Sequence, residues 1–140
     1  MAANTTPIFS KIGAIGGIGS TTITTATGDY TGTGSNNILI FTSDATNGGF
    51  VQRIRFKAIG TNVVTVMRIY INNGLTNGTA ANNVFYGELS LPATTASNTA
   101  GTVDIDYPLN FALPAGYKLY AGVATTVASG WVASVIAGAY

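Results

Sequence analysis

An all-β sandwich is the fold class this sequence predicts. Three observations predict it: short runs that alternate apolar and polar residues, turn signals at close intervals between them, and no apolar period of 3.6 residues sustained along any stretch. Roughly eight such runs fit a jelly-roll-like antiparallel sandwich, with a closed up-and-down barrel as the competing architecture. A single domain is expected over 21–140, preceded by an extended N-terminal arm over 1–20.

The most informative stretch is Phe50 to Asn73, which holds four of the six basic residues. Its first half puts Phe50, Gln52, Ile54, Phe56 and Ala58 on one face, and Val51, Arg53, Arg55, Lys57 and Ile59 on the other. Its second half sets Val63, Thr65, Met67, Ile69 and Ile71 against Val64, Val66, Arg68 and Tyr70. If the halves are hairpin partners joined by a turn at Gly60 to Val63, Arg55 lies opposite Arg68 and Arg53 opposite Tyr70. If they belong to different sheets, that register lapses.

The remaining runs follow in order. Ile8 to Ile18 is apolar, but Lys11 interrupts it, no basic segment leads it and its glycines disfavour a helix, so neither a signal peptide nor a membrane span is expected. Ile8, Phe9, Ile12, Ile15 and Ile18 are instead candidate anchors of an arm that packs along its own sheet or docks on a neighbouring subunit. Thr21 to Thr27 is β-prone, and a turn-rich stretch follows it. Ile38 to Thr42 has the length of a strand buried on both sides. Val84 to Leu91 alternates, Phe85, Gly87, Leu89 and Leu91 against Val84, Tyr86, Glu88 and Ser90, and Pro92 ends it. Val103 to Tyr107 alternates until Pro108 redirects the chain into Leu109, Phe111 and Leu113. Pro114-Ala115-Gly116 is a turn that delivers Tyr117, Leu119, Ala121 and Val123 to one face, and the last run carries Trp131, Ala133 and Val135.

Composition removes several classes of chemistry. With no Cys and no His, thiol catalysis, disulfides, the usual zinc sites and His-based triads are excluded. Asp104 and Asp106 share a face at about 7 Å, near the lower limit for an inverting carboxylate pair, but any alternating strand with two outward aspartates does the same. Calcium on Asp104, Asp106 and Asp29 lacks any loop motif. The glycines from Gly13 to Gly19 lack the Lys-Ser/Thr ending of a phosphate loop. Trp131, Tyr70, Tyr86, Tyr120 and Tyr140 are more readily core than sugar platforms. Asn4-Thr5-Thr6 and Asn77-Gly78-Thr79 match the glycosylation pattern, which carries weight only in a secreted chain. No enzyme activity, cofactor or metal is expected.

Surface chemistry points toward assembly. Charged residues make up only 8% of the chain, against about a quarter in ordinary globular proteins, and mean hydropathy is positive. So little charge on a folded domain suggests an exterior partly covered by protein neighbours, the alternative being a monomer with Thr- and Asn-rich loops. A net charge of +1 gives no electrostatic case for nucleic acid or membrane as partner. Arg53, Arg55, Lys57, Arg68 and Tyr70 form a candidate basic docking face, and Glu88, Asp104 and Asp106 are the carboxylates that such cations would meet.

The segments FVQRIRFKAIGTNVVTVMRIYINNG, YGELSLPATTAS and DYPLNFALPAGYKLYAGV resemble small, Cys-free virion proteins of tailed bacteriophages. The likeness runs from Phe50 to the C-terminus and is weaker over the arm. It implies a capsid decoration or cement protein, a trimeric β-sandwich seated between capsomers on the outer head surface and made in the host cytoplasm. Its partners would be the major capsid protein and further copies of itself, with the arm clasping shell or neighbour. The rival is a fibre or spike module that binds host-surface glycan through the loops Asn72 to Asn83 and Pro92 to Gly101.

Overall fold

The computed structural model describes residues 10–19, 22–27 and 29–140. In chain order its strands are β1 (Ile12–Gly16), β2 (Ile38–Thr42), β3 (Gly49–Ala58), β4 (Thr65–Asn72), β5 (Asn83–Leu91), β6 (Asp104–Leu113), β7 (Lys118–Val123) and β8 (Trp131–Ala139). The one helical segment among the described residues is a 3-10 turn at Ala80–Asn82. The strands pair into two four-stranded sheets, β1-β8-β3-β6 and β2-β7-β4-β5, antiparallel at every pairing. The all-β sandwich is therefore as the alternation predicted.

The core lies between the sheets because each strand offers its apolar parity inward. Ile54, Phe56, Trp131 and Val135 come from the first sheet, and Met67, Ile69, Leu119 and Val123 from the second, all 0% exposed. At about 1.5–3 kcal/mol for each such side chain, this burial is the largest favourable contribution to the fold.

Phe50–Ala58 and Val63–Ile71 are not hairpin partners. β3 sits between β8 and β6 in one sheet, β4 between β7 and β5 in the other. Arg55 therefore opposes Asp106 and Ser134, and Arg68 opposes Glu88 and Gly122. The segment between them is a crossover, held by Asn62 rather than by turn chemistry. The Asn62 amide donates to the Thr94 hydroxyl and the Gly130 carbonyl, each at 3.1 Å, and its oxygen accepts from the Ser129 and Gly130 amides at 3.0 and 2.6 Å. Its backbone pairs both ways with Thr94. One buried side chain thus ties three connections at one end of the sandwich.

Three bulges shift the expected faces. The register of β3 slips between Val51 and Arg53 against both of its neighbours, so Val51, not Phe50 or Gln52, enters the core. A slip between Ile69 and Tyr70 places Phe85 opposite Tyr70, on the face away from the core. The third slip lies in β2 between Leu39 and Phe41. β2 is an edge strand with Leu39 40% exposed, not a strand buried on both sides. Pro108 does not redirect the chain: β6 runs through it at the sheet edge, where a missing N–H is tolerated, and Asn110 takes a positive φ of 54° beside the slip.

Of the expected arm, Ile12–Gly16 is an edge strand of the sandwich itself, registered from Ile12↔Ala139 to Gly16↔Val135. Gly16 is required there, since any Cβ would collide with the Ile40 carbonyl. Ile8 and Phe9 lie outside the described residues.

Asn62→Ala leaves the part-buried Ser129 amide and the buried Gly130 amide without their acceptor. It should destabilise the protein by roughly 3 kcal/mol in urea unfolding with an unchanged slope.

Candidate docking face

Directly opposed residues of a sheet share a face, so the registers of β6, β3, β8 and β1 define rows across the outside of the first sheet. One row is Pro108, Arg53, Ile136 and Ile15; the next is Asp106, Arg55 and Ser134; a third is Asp104, Lys57 and Val132. Ile54, Phe56 and Ala58 point the other way into the core. The outcome is a flat face with two zones: charge over β3 and β6, and an apolar margin over β8 and β1.

The charged zone is a ladder of alternating sign. Arg55 grips Asp106 with two parallel hydrogen bonds, Nε to Oδ1 at 2.8 Å and Nη2 to Oδ2 at 3.0 Å. Arg53 lies 3.8 Å from Asp106, Arg55 3.7 Å from Asp104 and Lys57 3.8 Å from Asp104. Lys57 also donates to the Thr102 carbonyl. The Arg55 hydrogen bonds hold the Asp106 carboxyl below its usual range and, together with the charges of Asp106 and Asp104, raise the Arg55 guanidinium. These groups are close to half exposed, so the ladder fixes register more than it stabilises.

This geometry changes the meaning of the predicted basic patch. Arg53, Arg55 and Lys57 do share a face, but Asp104 and Asp106 pair with all three, which leaves little net charge over it. A carboxylate held ionised by an arginine is the opposite of a catalytic acid, so Asp106 does not suit that role. Asp29 lies over the other sheet and cannot join them around a cation.

Arg68 and Tyr70 are not part of this face. They project from the outside of the second sheet, where Asp29, Tyr30 and Gly32 cover them, so Arg68 is 9% exposed and Tyr70 0%. Arg68 donates from Nη1 to the Asp29 carbonyl at 3.2 Å and stacks 4.1 Å from the Tyr30 ring. Its Nε lies 3.5 Å from Glu88. Tyr70 donates to the same Asp29 carbonyl at 2.8 Å, and burial pushes its phenol up. The pair is a clasp for the covering segment. Its sequence signal was Gly122, which leaves room for Asn37 and Thr27 on that side of β7.

The apolar margin was legible as part of an arm, and the structure places it on a sheet. Ile15, 60% exposed, lies on this face; Ile12, 68% exposed, has the opposite parity on the same strand, and Ile18, 83% exposed, lies in the turn after it. Trp131, a candidate sugar platform, is 0% exposed. Asn72, Asn73, Asn82 and Asn83 bond to one another or to loop carbonyls, so the first candidate glycan loop spends its amides on its own shape. Among the described residues no three of His, Cys, Asp and Glu converge to hold a metal ion, and no helix is long and apolar enough to cross a membrane. Comparison with protein-family models, with curated proteins and with solved structures finds no match to this chain.

Because the folded-state pKa of Asp106 is depressed, its contribution is present above the ordinary aspartate value of about 3.9 and is lost as pH falls through the lowered one. Asp106→Asn should therefore flatten the decline in melting temperature between about pH 4 and pH 2. An acid limb as steep as the parent's would show that the ladder contributes nothing to it.

Proposed function

We propose that this chain is a structural virion protein, a capsid decoration or cement subunit that stabilises a phage head by bridging major capsid proteins on its outer surface. The observation that carries this reading is the exposure of Ile12 and Ile15 on an uncharged edge strand, and of Ile18 in the turn after it, in a domain that spends most of its few charges on itself. A surface of that kind gains by being covered with protein. The resemblance of Phe50 to Tyr140 to small phage virion proteins supplies the class of partner and implies a homotrimer. The strand orders β1-β8-β3-β6 and β2-β7-β4-β5 fit two interleaved Greek keys and support the jelly-roll reading.

The mechanism needs no chemistry. Seating the face of β8 and β1 on the shell buries apolar area, with a specific contact needing on the order of 1,000 Å². The neutralised ladder beside it lowers the desolvation cost and sets orientation. Residues 1–9, MAANTTPIF, precede the edge strand and are the segment we assign to clasping the shell.

Purified protein is expected to add to expanded capsids that lack it and to raise their melting temperature by several degrees. Deleting residues 1–9 should abolish that addition while the isolated domain melts as before. Failure of the parent protein to add at saturating concentration, or its binding to host cells with inhibition of infection, would contradict the reading and favour attachment.

A further inference from the structure

The four edge strands of the described sandwich are not equivalent. β6 is guarded by Pro108, by the slip beside Asn110 and by Asp104 and Asp106; β5 by the slip at Tyr86 and by Glu88; β2 by the slip at Ile40. Such guards keep sheet edges from adding strands. β1 has none: IGAIG carries no charge, no proline and no slip in its register with β8. An open cleft of about 460 Å³ lies beside it, lined by 14–18 and 39–42, leaving room for an approaching chain.

We propose that the free edge of β1 pairs antiparallel with β1 of a second copy, about a two-fold axis through Ala14. This goes beyond the virion reading and does not depend on it. Two-fold pairing sets every group against the symmetry-related strand, which selects β1 on charge. Self-pairing of β5 about its middle residue, Gly87, would set the two copies of Glu88 about 7 Å apart, and Pro108 with the slip beside it bars β6, whereas Ile12–Ile18 has no charge to repel. The nearest cation, Lys11, falls opposite Gly17, so the two copies of Lys11 stand about 20 Å apart, beyond the screening length.

Volume selects the same register. Centred on Ala14, each Ile15 lies opposite Gly13 of the other copy, and each Ile12 opposite Gly16. Every large side chain meets a position with none. A Cβ on Gly13 would have nothing within 4 Å in the single chain, so that space is open until a second copy fills it. The product is a continuous eight-stranded sheet with its charge ladders at the two ends and the isoleucines in the middle. The contact closes at two copies, so a three-fold assembly would require another surface.

The test is the mass of the full-length protein by light scattering at about 100 μM, well above a micromolar dissociation constant. An even-numbered species, the simplest being twice the 14.3 kDa chain, is expected. Gly13→Lys should halve it while leaving the melting curve of the monomer intact, because the new side chain points into open space in one chain and into Ile15 in two. Since the chain has no Cys, Ala14→Cys adds a single thiol that should oxidise to a covalent dimer, while Thr46→Cys on an exposed turn should not. A monomer or a trimer for the parent protein would overturn the proposal, as would an even-numbered species unaffected by Gly13→Lys.

Discussion

The structure depends on how β3 is held between β8 and β6. Its inward residues, Val51, Ile54 and Phe56, fill the core at 0% exposure, while its outward residues lie beside Asp104 and Asp106 on one side and Val132, Ser134 and Ile136 on the other. A one-residue slip would send arginines inward and isoleucine outward. The slip at Gln52 and the grip of Arg55 on Asp106 both act against that error. Core burial supplies the stability, and the ladder specifies which register receives it.

From that arrangement follows the surface. The chain has eleven charged residues, six basic and five acidic, and the ion pairs of the described residues use Arg53, Arg55, Lys57 and Arg68 with Asp104, Asp106 and Glu88. Lys118 is turned onto the Gly74 carbonyl, and Asp44 caps the turn at Thr46 and Asn47. Charges committed this way do little to keep neighbours apart. What faces solvent besides these half-exposed pairs is largely amide, hydroxyl and scattered apolar side chains, a surface suited to close packing with protein.

Much of the fold was legible because period-two alternation survives wherever one face is buried. The strands from Ile38, Phe50, Val84, Tyr117 and Trp131 begin within a residue or two of where alternation places them. The errors share a cause, since alternation is local and pairing is not. Nothing near Gly60 shows that the chain crosses between sheets, because the deciding contacts come from Thr94, Ser129 and Gly130. Val51 and Phe85 changed faces because a bulge inverts parity without a sequence mark at the bulge itself. In the candidate site, Arg53, Arg55 and Lys57 were correctly grouped by spacing. Arg68 and Tyr70 were not, because a segment about forty residues earlier in sequence folds over them.

The central claim is that the isoleucine-bearing edge and the adjoining face of β8 are covered by protein when the molecule does its work. Amide hydrogen exchange, compared between the free chain diluted below self-association and the chain bound to capsids, tests it most directly. Protection gained over Ile12–Ile18 and Val132–Ile136, with the loops 73–82 and 92–103 unchanged, is the result this account predicts. Unchanged exchange along β1 and β8, with protection appearing in those loops instead, would contradict it.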